Sequence, residues 1–472
     1  MTIKLAFHGG AGTVTGSKFL LTANRDRILI DCGLFQGLKE LRLQNWDHPP
    51  FEPSAIKAVV ITHAHIDHTG YLPLLVNRGF KGPIYCTPAT ADLMEYLLPD
   101  AARLQEEDAA YANRKGFSKH KPALPLFTED DAWRALHHVK TVDFDTWFSV
   151  GESFVRFQPA GHILGSAVVE VSAPLGDGET TLAFSGDLGR YDMPLHIDPD
   201  PVPACDTLVL ESTYGNRIHD PAPLGEQVVR ELREPLRRGA TVLIPSFAVA
   251  RAQLVTLVLR ELIDAGALPE VPIHMDSPMA VDVTRTYNRY LEGDDLDEDI
   301  HGATSRRLFP RNVTFHHTVD ESKALNNLRG PRIIISASGM LTGGRVLHHL
   351  QRLAPDPANV IALVGFQPAG TRGRKLLEGA QYIRMHGGDY PVRANVVSLE
   401  GFSAHADQDE LVQWSCGDHG APRDIFLAHG EPEAVDALKT RFSEAAPQSR
   451  VFAPGLHDEF ALVPGRGWQR NR

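Results

Sequence analysis

The chain has 472 residues, more than one ordinary core supports, which predicts two domains or one domain carrying a large insertion. Apolar residues make up 43% and charged residues 22%, enough apolar surface to exclude disorder as the main state. The formal net charge of −12, from 47 Lys+Arg against 59 Asp+Glu, opposes long-range attraction to nucleic acid or an anionic membrane without excluding a local basic groove. No apolar run approaches the ~20 residues that span a bilayer, and the start MTIKLAFHGGAG lacks the basic and apolar regions of a signal peptide. Cys32, Cys86, Cys205 and Cys416 form no CxxC pair, so neither a disulfide framework nor a thiolate metal site is expected. The expectation is a cytoplasmic protein with no membrane partner.

Through the first two hundred residues the chain reads as short strands broken by glycine: 27–31 (RILID), 58–63 (AVVITH), 153–157, 167–171 and 181–185. Helical patterns cover 70–78 and 89–114. After residue 211 the rhythm changes. A helix over 224–238 leads to a strand at 241–245, a helix over 248–265 and a strand at 272–275. A strand at 332–336, a glycine turn, a helix over 344–353 and a strand at 360–364 follow. Such alternation predicts a parallel sheet with helices on its faces. From about residue 390 the glycine-punctuated strand ends return. The plainest organisation is one domain (1–211 and 389–472) interrupted by a second (212–388). The acidic run EGDDLDED at 292–299 reads as a solvated loop.

Histidine is the unusual entry in the composition, at 22 residues, and the densest group is HAHIDH at 63–68. On an extended chain His63 and His65 point to one side, and the turn that follows can swing Asp67 and His68 to the same spot. Three imidazoles and a carboxylate in six residues are too polar to bury without a cation or water. Further donors end other strands: Asp31 in RILIDCG, His162 in PAGHILG, Asp187 in FSGDLG and His429 in LAHGE. Oxygen and imidazole ligands without sulfur suit two divalent ions, Zn²⁺ in the first place, with Mn²⁺ as the alternative.

HAHIDH together with Asp31, His162, Asp187 and His429 resembles the metallo-β-lactamase fold, an α/β αββα sandwich with a dinuclear metal site. The resemblance implies that His63, His65 and His162 hold one Zn²⁺, that Asp67, His68 and His429 hold the other, and that Asp187 bridges them. Asp31 would orient a ligand or the metal-bound water. Glu211 in TLVLESTYG, His405 in GFSAHAD and His429 in AHGE resemble the three further motifs of the β-CASP family, the nuclease branch of this fold. IPSFAVARAQ, DSPMA, SASGMLTGGR and GFQPAGTRGRKL agree in order, so the resemblance covers essentially the whole chain and makes the insertion an α/β β-CASP domain. Histidine at 405 aligns the chain with RNA-processing members rather than DNA-repair ones. The reading expects neither the N-terminal KH domains of archaeal relatives nor the added C-terminal domain of RNase J. His8, where relatives carry another residue, is read as incidental, and SASGM replaces the two adjacent serines of many relatives.

The implied activity is metal-dependent hydrolysis of single-stranded RNA, endonucleolytic with the balance against 5′-exonucleolytic action left open, leaving a 5′-phosphate and a 3′-hydroxyl. Asp31 and Asp67 would serve the metal-activated hydroxide, while His405, held by Glu211, would protonate the leaving oxygen. Between Lys323 and Arg384 nine Lys or Arg stand against two acids, Asp356 and Glu378. That excess, beside glycine-rich turns, predicts a phosphate track that includes Ser336, Ser338, Gly339, Arg345, Arg372 and Arg374. Which of the two serines meets a phosphate stays open, as does assembly as a homodimer. The rival readings are a DNA nuclease of the same fold and a thioester hydrolase of glyoxalase II type. The latter has no use for the insertion, Glu211 or His405.

Overall fold

A computed structural model describes residues 2–471 except 117, 119, 292, 294, 298–311 and 464. Half of the acidic run expected as a solvated loop (292, 294, 298 and 299) therefore lies outside the described residues. The chain divides into two compact units, Met1–Ile218 with His405–Arg472, and His219–Ala404.

The first unit is built from two sheets. Eight strands lie in the order Gly467–Arg470, Glu459–Val463, Ile3–Gly9, Lys18–Ala23, Asp26–Ile30, Ala58–Val60, Ile84–Cys86 and Val139–Thr141. Seven lie in the order Arg450–Phe452, Asp424–Ala428, Thr207–Glu211, Gly178–Phe184, Ala167–Leu175, Ser153–Pro159 and Phe148–Val150. Strand alternation sorts the side chains into layers. Val209 and Phe426 join Phe7, Phe19, Leu21, Ile30 and Phe460 in the core between the sheets. Their neighbours Leu208, Leu210, Ile425 and Leu427 face the opposite way, onto Leu411 and Trp414 of helix Gln408–Cys416 and Leu438 and Phe442 of helix Pro432–Ala445. Both faces of the central strands are thus apolar, as a covered sheet requires.

The long helix expected near 89–114 spans Pro88–Lys115. Thr87 caps it by accepting the Thr90 N–H, Pro88 occupies the first turn, and Gly116 ends it at φ +67°. The expected strand at 58–63 stops at Val60, because the Thr62 N–H leaves the ladder and donates to the Asp31 carboxylate at 2.8 Å. His63 and His65 are therefore aimed by a bend and not by strand alternation.

The second unit is an all-parallel sheet in the order Val313–Phe315, Ile273–Met275, Arg332–Ser336, Thr241–Pro245, Val360–Val364 and Asn395–Leu399. Helix Val346–Leu353 sets Val346, Leu347 and Leu350 against Leu243, Ile334, Ile361 and Leu363 of that sheet. The hairpin Tyr382–Met385 with Gly388–Pro391 was not expected from the sequence. Among the described residues no helix is long and apolar enough to cross a membrane.

Candidate metal centre

Parallel neighbours bring distant residues to one sheet edge. Strands Gly178–Phe184, Thr207–Glu211 and Asp424–Ala428 are adjacent and parallel, so their ends deliver Asp187, Glu211 and His429 side by side. In the other sheet Asp26–Ile30 runs parallel to Ala58–Val60, which delivers Asp31 beside Thr62 and His63. The backbone is bent tightly to do this. Asp31 and His429 have φ of 58° and 48°, left-handed values that cost a non-glycine residue about 1–3 kcal/mol and that persist where the surroundings over-determine them. Gly186, at φ +57°, precedes Asp187, and a Cβ there would lie 2.7 Å from the Thr62 side chain.

Two histidine-rich groups of side chains converge, and a third joins Asp187 to Glu211 and His405. His63, His65, His162 and Asp187 form one, Asp67, His68 and His429 the other, and within each group the donor atoms lie within 4.8 Å of one another. His63 Nε2 is 3.0 Å from His65 Nδ1, which is 3.3 Å from His162 Nε2. His68 Nε2 is 3.3 Å from His429 Nε2, and Asp67 Oδ2 is 3.6 Å from the latter. Asp187 stands between the groups. Its Oδ2 lies 3.4 Å from His63 and 3.6 Å from His162, while Oδ1 lies 3.3 Å from His68 and 3.2 Å from His429.

Burial and the neighbouring charges compete over the protonation of these groups. Burial pushes His65 down to about 3, helped by His63, and holds His162 and His63 below the imidazole range. Burial opposes charge on His68 as well, but Asp187 and Asp31 raise it. Burial disfavours ionised Asp67, yet its hydrogen bond with His429 and the nearby His68 keep it below the usual carboxylate range. Neutral imidazoles and ionised carboxylates are the state in which these groups ligate a metal. Asp187 Oδ1 is buried and meets only the His68 and His429 ring nitrogens, at 3.3 and 3.2 Å and outside hydrogen-bond geometry, a position that a cation would satisfy. On these grounds the cluster fits a metal-binding site.

Asp31 is fully buried and accepts from His68 Nδ1 at 2.7 Å and from the Thr62 N–H and hydroxyl. With a metal at Nε2, that bond would keep the remaining proton of His68 on Nδ1, and it turns Nε2 toward the centre. Thr213 Oγ1 lies 3.2 Å from His429 Nδ1 and does the same service there. Sequence reasoning passed over Thr62 and Thr213, although both stand inside quoted motifs, in ITHAH and ESTYG.

Beside the centre, both oxygens of Glu211 face His405 Nδ1, at 3.2 and 3.1 Å, and Oε1 also accepts the Leu188 N–H at 2.6 Å. Glu211 is buried and the His405 side chain is 14% exposed. The carboxylate thus fixes the imidazole by one nitrogen and leaves Nε2 as the other proton-carrying end. His8 belongs to neither group and packs against Phe51 and His457, with burial pushing it down to about 4.

The residues expected on a phosphate track all lie in the second unit. Ser336 is buried and donates to the Asp276 carbonyl, whereas half-buried Ser338 bonds Thr342. Gly339 presses on Phe247, where a Cβ would meet backbone at 2.9 Å. Arg345 binds the Asp276 carboxylate and the His316 and His317 carbonyls. Arg372 binds the carbonyls of Arg384, Leu341 and Thr342, and Arg374 pairs with Glu378. Arg345 and Arg372 thus stitch the turns together, a use that net charge along the sequence does not reveal.

The chain matches three domain families in turn. Residues 26–221 match the Beta-lactamase superfamily domain, 252–376 the Beta-Casp domain, and 389–454 the Zn-dependent metallo-hydrolase RNA specificity domain. It is 39% identical over 437 residues to a ribonuclease of Thermus thermophilus, covering 91% of this chain and 94% of that protein. An RNase J-like protein of Methanocaldococcus jannaschii is 33% identical, covering 91% and 93%. The transcription termination factor FttA of Methanothermobacter thermautotrophicus is also 33% identical, covering 91% of this chain and 67% of that protein. A solved structure of a protein of unknown function from Enterococcus faecalis V583 aligns over 98% of this chain and 100% of its own, with TM-score 0.53 at 14% identity, a likeness of fold alone. Two sheets carrying this centre at their edge, and relatives that match nearly end to end, lead to one conclusion: the chain belongs to the β-CASP family of metallo-hydrolases with the metallo-β-lactamase fold.

Proposed function

We propose that this chain is a metal-dependent ribonuclease that hydrolyses phosphodiester bonds of single-stranded RNA and leaves a 5′-phosphate and a 3′-hydroxyl. The observation that carries the reading is Asp187, whose two oxygens face two different imidazole groups and so suit a bridge between two ions, with the Glu211–His405 pair alongside. His63, His65 and His162 would hold one Zn²⁺, and Asp67, His68 and His429 the other. Bound divalent ions supply Lewis acidity toward a phosphate and acidify a water. Asp31 and Thr213 keep His68 and His429 in the orientation that ligation needs. His405, steadied at Nδ1 by Glu211, donates a proton from Nε2 to the departing 3′-oxygen. In the second unit the reading gives phosphate contact to Ser338, to the backbone around Gly339 and to Arg374, while Ser336, Arg345 and Arg372 shape the turns that present them.

The test is cleavage of end-labelled single-stranded RNA beside a DNA oligonucleotide of the same sequence, with and without EDTA. Chelator-sensitive RNA fragments bearing 5′-phosphates, with the DNA intact, are the expected result, and their pattern separates internal from 5′-terminal attack. Equal cutting of DNA would replace the ribonuclease reading by a DNA nuclease. No cutting of either would move the search to thioesters.

A further inference from the structure

Lys18 is 4% exposed, and its partners are carbonyls and ring faces rather than a carboxylate. Its Nζ donates to Gly16 O at 3.2 Å and to Gly33 O, and sits 4.7 Å from the centroids of both Phe35 and Tyr71. An ammonium buried without an opposite charge is costly, so a chain that retains one invites the question of what it holds. The two carbonyls belong to two loops, and both loops carry the Asp67–His68 turn. Ser17 N donates to Asp67 O at 2.9 Å, Cys32 N donates to His68 O at 2.7 Å, and Gly33 N closes the pair of loops on Ser17 O at 3.0 Å. Gly33 lies so close behind Asp67 that a Cβ would fall 1.5 Å from the Asp67 carbonyl oxygen. The next residue along, Leu34, continues the stitching to Ile66.

We propose that Lys18 is a positioning residue for the metal centre: its ammonium clamps the 16–18 loop to the 31–34 loop and thereby sets Asp67 and His68. The inference rests on the reading of Asp67 and His68 as ligands. It is also directional: these backbone bonds end on Ile66, Asp67 and His68, whereas His63 is reached from the clamped loop only through Asp31 and Thr62. Loss of the clamp acts first on the Asp67–His68–His429 ion.

The experiment is a Co²⁺ titration of chelator-stripped, full-length protein, read by d–d absorption and by the metal retained after dialysis. Lys18→Met and Lys18→Gln are compared with wild type, and Lys57→Met, which breaks the ion pair of half-exposed Lys57 with buried Asp26, serves as control. The expected result for Lys18→Met is one ion bound within twofold of wild type and the other about 10- to 100-fold more weakly, the usual range when a group supporting a ligand is removed. The metal-free melting temperature should change little, because the easier burial of a neutral side chain offsets the loss of a donor to the Gly16 and Gly33 carbonyls. Lys18→Gln, whose amide can still donate to Gly33 O, should recover part of the affinity. Unchanged binding of both ions by Lys18→Met, or equal weakening of both, overturns the proposal. So does failure of both Lys18 variants to fold, which would make the residue a requirement of folding. Wild type that takes up no Co²⁺ would sink the ligand assignment itself, an outcome separate from all of these.

Discussion

Glu211→Gln isolates the hold on His405. Glutamine keeps the shape of the side chain and can keep the 2.6 Å bond from Leu188 N, but it loses the charge and one of the two oxygens that face Nδ1. A hydrogen bond to a charged group contributes about 1.5–3 kcal/mol. At about 1.4 kcal/mol per decade that is a loss of roughly 10- to 150-fold in the cleavage step. His405→Ala sets the ceiling, because general-acid catalysis typically contributes about 10²–10⁴-fold. The assay is single-turnover cleavage of RNA with metal content measured on the same samples. A second substrate with a bridging 3′-sulfur at the scissile bond departs without protonation, so both variants should cut it at close to the wild-type rate. Equal losses on the oxygen and sulfur substrates would refute the assignment of His405 as proton donor. Loss of metal from Glu211→Gln would instead make Glu211 a ligand, a role its proximity to Asp187 and His405 also allows geometrically.

Other substitutions test other parts of the centre. Asp67→Ala should abolish activity and lower the bound metal, and full activity after stripping and reloading would exclude Asp67 as a ligand. Asp31→Asn removes the carboxylate that orients His68 and should weaken metal about 10- to 100-fold in a zinc-competition titration; an unchanged affinity would show that the ring is held without it. Phe426 is fully buried, with the Phe452, Phe460 and Trp468 rings at 4.6, 5.0 and 5.5 Å, so Phe426→Ala should cost about 3–5 kcal/mol in denaturant unfolding. A loss under about 1 kcal/mol would mean the sandwich core tolerates a cavity there. Burial pushes Lys18 down to about 8 from its ordinary 10.5. In that interval the unfolded chain binds the extra proton, so stability should rise with pH from about 8 to 10.5, by up to about 3 kcal/mol, and stay level below it. Lys18→Met should lack that rise; its persistence would place the titration elsewhere.

The sequence carried the element types and the donors of the centre because both are local. Apolar runs such as AVVITH and TLVLE mark buried strands, and the polar residues that end them point to chemistry when read together, not singly. HAHIDH was legible for the same reason. Where strand 58–60 ends was not, since the Asp31 carboxylate that draws the Thr62 N–H out of the ladder comes from another strand. Nor could charge counting separate an arginine facing solvent from Arg345, which is tied to Asp276 from 69 residues away.

Residue types and their spacing by themselves determined that this chain folds as strand-ending turns around an α/β insertion and that it holds enough imidazole and carboxylate for metal. Only the tertiary structure decided how those groups pair. Sheet order made neighbours of Asp187, Glu211 and His429, and register set Asp31 beside Thr62 and His68. Loop packing buried the ammonium of Lys18 behind Asp67. Such pairings come from hydrogen bonds between segments tens to hundreds of residues apart. The identity of either partner alone does not encode them, because each donor has many acceptors within reach until the sheets close.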